Sequence, residues 1–152
     1  MSQTDRNERV TRDHEELRAI YAAASTIAVV GISSAAEKPS HSIPRYLQEQ
    51  GYRIIPVSPR GGEILGERAY ASLPEVNVPF DVVDVFRPPH EAVGIARDAI
   101  GSGARVLWFQ PGTDSDEAID LAAEAGLTVV AYRCMGETHG RLGLGPGPTP
   151  SR

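Results

Sequence analysis

Apolar positions along this chain follow two alternating rhythms. Short unbroken apolar runs, bounded by glycine, proline or polar residues, alternate with longer stretches in which apolar residues recur three and four apart. The first rhythm is that of strands buried on both faces, the second that of amphipathic helices. The runs cover 26–30, 53–57, 81–86, 105–109 and 127–131. The helical pattern appears first from Thr11, where Leu17, Tyr21 and Ala24 share a face with Val10 and His14. It returns from Ser42, placed as N-cap with Pro44 in the first turn, where Ile43, Tyr46 and Leu47 line up. It recurs over 91–100, with Ala92, Ile95, Ala96, Ala99 and Ile100 as the stripe. A last helix starts at Asp114, with Glu117 as its capping-box partner, and stops at Gly126.

Strand–helix alternation predicts an α/β fold, a Rossmann-like doubly wound sheet of five parallel strands with an extra N-terminal helix. The expected order, numbering these strands one to five, is 3-2-1-4-5, with a ligand at the switch point between strands one and four. Val29, Val30, Ile55, Val83, Val85, Leu107 and Val130 form the expected core. Residues 1–10 are read as a flexible N-terminus and 11–142 as a single domain. The glycine- and proline-rich 143–152 reads as a disordered tail.

The stretch 26–47 organises the rest. A strand ends at Gly31, a polar loop follows, and a helix begins; such a helix start offers N–H groups and a positive dipole end to a phosphate. The dinucleotide fingerprint G-x-G-x-x-G is absent, since Ile32, Ser33, Ser34, Ala35 and Ala36 follow Gly31. In the loop after the second strand, Ser58 and Arg60 stand where an NAD site holds an acid against the ribose. Arg60 therefore suits a phosphorylated ribose, and the residues alone leave NADP and coenzyme A both open.

Composition narrows the classes. Fifteen Lys and Arg against twenty Asp and Glu give a formal charge of −5 and a pI near 5.3, which disfavours a nucleic-acid binder. No apolar run approaches a membrane span, and the first residues lack the apolar segment of a secretory leader, so a cytoplasmic protein is expected. The single cysteine, Cys134, rules out an internal disulfide. Cys134, Glu137 and His139 fall short of the four ligands of a structural zinc site, and no metal is expected. Cys134 follows the fifth strand, at the ligand edge. There it is either a thiol facing the ligand, activated by Arg133, or an inert buried cysteine. Asp81 and Asp84, three apart on one strand, point to opposite faces and form no acid–base dyad.

The segments VVGISSAAEKPSHSIPRYLQEQGYRIIPVSPRGGEILGERAYASL, DVVDVFRPP, WFQPG and RCMGETHGRL resemble the small stand-alone CoA-binding domain proteins. More distantly they resemble the N-terminal CoA-binding domain of the succinyl-CoA synthetase alpha subunit. The match covers roughly residues 25–142. The resemblance implies a Rossmann-like fold and a small-molecule ligand, coenzyme A or an acyl-CoA. It implies that Gly31, Ile32, Ser33 and Ser34 line the phosphate turn, flanked by Lys38 and Ser40. Val57, Ser58, Pro59 and Arg60 would lie against the adenosine or its 3′-phosphate, and Val85, Phe86 and Arg87 would meet the cofactor at the third strand. Gln110 and Pro111 would follow the pantetheine arm. The synthetase's further domain, with its phosphorylated histidine, has no counterpart here, so the expectation is a binding protein without ligase chemistry. An NADP-dependent enzyme and an interaction module that has lost its ligand are the alternatives.

Overall fold

The computed structural model describes residues 8–147. Its centre is a sheet of five parallel strands: β1 (Thr26–Val30), β2 (Arg53–Val57), β5 (Val82–Val85), β6 (Val106–Phe109) and β7 (Thr128–Val130). β3 (Glu63–Ile64) and β4 (Glu67–Arg68) form a separate hairpin. The α-helices α1 (His14–Ala23), α2 (Pro39–Glu49), α3 (Ala92–Ser102), α4 (Asp116–Glu124) and α5 (Met135–Arg141) accompany them.

Each strand feeds two cores by alternation. Ala28, Ile55, Val83, Val85, Leu107 and Val129 face a layer made by α3, α4 and the segment before β5. Ile27, Val29, Ile54, Val82, Trp108 and Val130 face the layer made by α1, α2 and α5. The expected core residues are buried, except that Val30 is only partly so. The predicted fold class therefore holds: a Rossmann-like α/β sheet with an added N-terminal helix.

The strand order differs from the expectation. It runs β2-β1-β5-β6-β7, which is 2-1-3-4-5 among the sheet strands and not 3-2-1-4-5. The cause is the connection 58–81. It carries no α-helix, only the hairpin and a 3₁₀ turn at Leu73–Glu75. Its apolar residues Leu73, Val76, Val78 and Phe80 pack on the α3–α4 face, opposite α2. A right-handed crossover over the opposite face steps the other way along the sheet. It passes β1 and places β5 on the far side. The switch point therefore lies between β1 and β5.

Other boundaries move for local reasons. Ser115, not Asp114, caps α4, its Oγ accepting the Ala118 N–H at 3.2 Å. Helix α5 lies in a stretch where no element was expected. At the start of the chain, Val10 is buried and bridges Val129, and Thr11 N–H donates to the Val129 carbonyl at 2.7 Å. At the other end Leu144 packs on the core and Gly147 N–H donates to the Gln50 carbonyl. The packed chain thus reaches past the expected limits of 11 and 142; residues 1–7 and 148–152 lie outside the described residues.

Asp84 is a conspicuous core residue. It is fully buried in β5, between Val29 of β1 and Trp108 of β6, and among the described residues neither carboxylate oxygen has a hydrogen-bond partner. Desolvation pushes its pKa well above the usual carboxylate range. An unfolded aspartate ionises near 3.8, while the folded carboxyl keeps its proton to higher pH. Stability therefore falls as pH rises above that value. Asp84→Asn removes this loss. The variant is expected to melt higher than the wild type at pH 7, by about 2–4 °C for each kcal/mol relieved, with the difference shrinking toward pH 4. Thermal melts of both proteins between pH 4 and 8 measure it; a constant difference would show that Asp84 does not titrate with folding.

Candidate functional site

The carboxyl ends of β1, β2 and β5 open into a cleft of about 380 Å³. Its floor is the turn at Gly31. Gly31 has φ +90, and its N–H donates to the Val57 carbonyl at 3.0 Å. A Cβ there would lie 2.6 Å from Arg87 Cδ and 2.9 Å from the Phe86 carbonyl. Only glycine fits both the backbone and the space.

The loop between β1 and α2 is held by its own hydrogen bonds. Ser33 Oγ accepts the Ala35 N–H at 3.0 Å, and His41 Nδ1 donates to the Ser33 carbonyl at 2.7 Å. Ser33 N–H donates to the Ser40 carbonyl at 3.0 Å. The helix beyond begins at Pro39 with Lys38 at the N-cap, so the expected cap at Ser42 is corrected. Pro44 lies inside the helix, with no N–H to give to the carbonyl four residues back. That carbonyl belongs to Ser40 and receives Ser33 instead. The same bond uses the Ser33 N–H, which is therefore not free for an anion.

Ser58 is buried at the end of β2, and its Oγ accepts the Arg60 N–H at 3.4 Å. Arg60 and Lys38 are exposed, and among the described residues neither forms an ion pair. Arg87 does: its Nε lies 3.1 and 3.2 Å from the Glu91 carboxylate and its Nη2 2.6 Å. That fork raises the pKa of Arg87 and lowers that of Glu91.

Of the residues singled out by sequence, the cleft gathers Gly31, Ile32, Ser33, Ser34, Lys38, Ser40, Ser58, Pro59, Arg60, Phe86 and Arg87. Val57 lines a smaller hollow of about 210 Å³ that shares Gly31, Pro59 and Arg87 with the cleft. Val85 is buried beneath, in the core. Gln110 is 3% exposed, and its Oε1 accepts the Met135 N–H at 3.1 Å, so it caps α5. Pro111 is exposed and lies outside the lining of the cleft.

Sequence reasoning missed Glu63 and Ile64, which the hairpin brings to the cleft wall, and Glu91 at the smaller hollow. The spacing of Arg87 and Glu91, four apart across a helix start, was the available signal for the last.

Cys134 is buried at the start of α5, and desolvation raises its pKa against the pull of the Gly136 and Glu137 N–H groups. Arg133 is not among the groups that act on it. Cys134, Glu137 and His139 do not gather into a metal-binding group among the described residues. His139 is enclosed by the rings of Tyr21, Tyr46 and Tyr52, with its Nδ1 2.9 Å from Tyr46 Oη. Burial lowers its pKa.

A wider hollow of about 430 Å³ lies beside α1, at the opposite edge of the sheet. Its cation Arg105 is 3.6 Å from Asp81. It gathers none of the loops that follow the strands.

Comparison with known proteins bears on the cleft. A family model described as a CoA binding domain matches residues 25–140. The uncharacterized protein YneT of Bacillus subtilis is 37% identical over 124 residues, covering 82% of this chain and 92% of that protein. The structure of a Thermus thermophilus protein, ID.343, superposes with a TM-score of 0.83 at 42% identity, covering 86% of this chain and 99% of the other. Acetyl-coenzyme A synthetase 1 of Candidatus Korarchaeum cryptofilum matches with a TM-score of 0.61 at 25% identity, over 69% of this chain and 25% of that enzyme. One family model thus spans β1 through most of α5 and every loop of the cleft, and the chain belongs to the CoA binding domain family.

Proposed function

We propose that this protein binds coenzyme A, free or acylated, in the cleft beyond β1, β2 and β5, and has no ligase chemistry of its own. The observation that carries this is the placement of two cations, Lys38 and Arg60, on the two loops that meet at the Gly31 turn, neither in an ion pair among the described residues. In a chain of net charge −5, such a pair concentrates positive potential where an anionic ligand would sit. Membership of the CoA binding domain family supports the choice of anion. The match to an acetyl-coenzyme A synthetase over only a quarter of its length supports the reading of a binding unit.

In this reading the turn 31–34 faces the diphosphate, with Lys38 and Ser40 flanking it. Ser58, Pro59 and Arg60 meet the adenosine, Arg60 reading its 3′-phosphate, and Phe86 and Arg87 close the third side. Ser33 contributes its side of the prefolded loop and not its N–H. Gln110 leaves the contact set, because its Oε1 is engaged at α5 and its residue is buried. The competing reading, NADP with Arg60 on the 2′-phosphate, lacks the close backbone approach that the missing glycines would allow.

A thermal-shift panel with CoA, acetyl-CoA, NADP, NAD and ATP tests the assignment. CoA and acetyl-CoA are expected to raise the melting temperature, in proportion to RT ln(1 + [L]/Kd); a shift with NADP and none with CoA would replace the reading. Arg60→Ala is expected to weaken CoA about tenfold more than dephospho-CoA, the loss of one charge-assisted hydrogen bond. Calorimetry on both ligands measures this. Equal losses would remove Arg60 from the 3′-phosphate.

A further inference from the structure

Arg87 is the one charged side chain shared by the two hollows. It borders both the larger hollow, with Lys38 and Arg60, and the smaller one, with Val30, Leu73 and Ile95. Its aliphatic stem lies against Gly31, where a Cβ would come within 2.6 Å of Cδ and 2.9 Å of Cγ. Its guanidinium is forked onto Glu91 through Nε and Nη2. Two contacts at separate ends therefore fix the side chain as a partition between the hollows.

Glu91 is placed for that task. It stands where the 3₁₀ turn Pro89–Glu91 runs into α3, so its side chain is free of any capping role. Both oxygens go to Arg87. The fork leaves Nη1 without a hydrogen bond among the described residues. A planar guanidinium held on one edge presents its other donors in a fixed direction, which suits a phosphate.

The two hollows also differ in charge. The larger holds two cations, Lys38 and Arg60, against one carboxylate, Glu63. The smaller holds Glu91 and Asp98 beside its aliphatic lining, and its one cation is Arg87 itself. A phosphate is favoured on one side of the partition and repelled on the other.

We infer that Glu91 is a positioning residue that determines ligand specificity: by fixing Arg87, it stops the phosphates of a ligand at the partition and admits only an uncharged end to the smaller hollow. The inference rests on the reading of the cleft as a CoA site and adds the residue that sets its polarity. Glu91 acts through Arg87 and itself repels the ligand's charge.

That opposition makes the test sharp. Glu91→Gln keeps the shape, removes a negative charge and breaks the fork. Simple electrostatics makes the variant bind the anion CoA more tightly. The inference requires the reverse, a weakening of about tenfold in calorimetry, the size of coupling measured between contacting residues. In an Arg87→Ala background the same change is expected to leave affinity equal or raise it. A second readout needs no ligand. The Arg87 Nε–H resonance, identified by its loss in Arg87→Lys, is expected to be protected from exchange with water in the wild type and to lose that protection in Glu91→Gln.

If the wild type binds CoA and Glu91→Gln binds it equally or more tightly, the inference is wrong and the CoA reading stands. If the Nε–H is equally protected in both proteins, Glu91 does not hold Arg87 and the inference is likewise overturned. A wild type that fails to bind CoA removes the reading of the cleft, and the inference with it.

Discussion

The geometry of the cleft depends on a hydrogen bond that a proline makes available. In a regular helix the Ser40 carbonyl would receive the N–H four residues on. Pro44 has none, and its ring crowds that carbonyl. Ser33 N–H takes the vacant acceptor at 3.0 Å, from a loop that precedes the helix. The loop is thereby tied to the helix it leads into. His41, on the same helix, ties it again through the Ser33 carbonyl. A polar loop that would otherwise lose conformational entropy on meeting a ligand is ordered in advance. Lys38, at the turn between the two, inherits a defined position from both.

The same economy appears in the charges. An acidic protein that receives a multiply charged anion must keep its cations near the ligand and its carboxylates away from it. Here Glu91, at the smaller hollow, is held to Arg87 in a fork, Glu63 stands on the hairpin wall of the cleft, and among the described residues Lys38 and Arg60 form no ion pair. On the opposite edge Arg105 is paired with Asp81, whose carboxylate also accepts two N–H groups and a hydroxyl from Ser25 and Thr26. Those bonds and the guanidinium lower the Asp81 pKa against its burial. Two aspartates three residues apart in sequence thus have opposite fates. Asp81, with donors, is stabilised as the anion; Asp84, without them, is pushed toward the neutral acid.

Much of the fold was legible because both cores obey simple periodicities. Short, largely apolar runs located all five sheet strands, and the stripe Ala92, Ile95, Ala96, Ala99 located α3. The loops that carry Gly31, Arg60 and Arg87 followed from the strand ends. What failed was information that lies in pairings across the chain. The face chosen by residues 73–80 fixes the strand order, and no local pattern reveals a face. The bond from the Met135 N–H to Gln110 was equally hidden, because that N–H belongs to a helix of seven residues whose sequence, rich in polar residues and glycine, has no apolar stripe to announce it. The Ser42 cap failed because the pattern of Ile43, Tyr46 and Leu47 marks a helical face and not where the helix starts.

The single glycine of the first loop then acquires a different meaning from that of a dinucleotide fingerprint. In G-x-G-x-x-G the absent side chains admit a pyrophosphate close to backbone and let helix pack on strand. At Gly31 the space that a Cβ would fill is already taken by the stem of Arg87 and the Phe86 carbonyl. The close approach is made by the protein to itself. Space for a ligand would therefore come from the cleft beyond Gly31, beside the side chains of Ser33, Ser34, Ser40, Lys38 and Arg60, and not from the backbone at Gly31. A ligand gripped by side chains around a closed turn meets the protein mainly through its phosphates' charge, which matches a site with cations on separate loops better than one with a glycine-lined cradle.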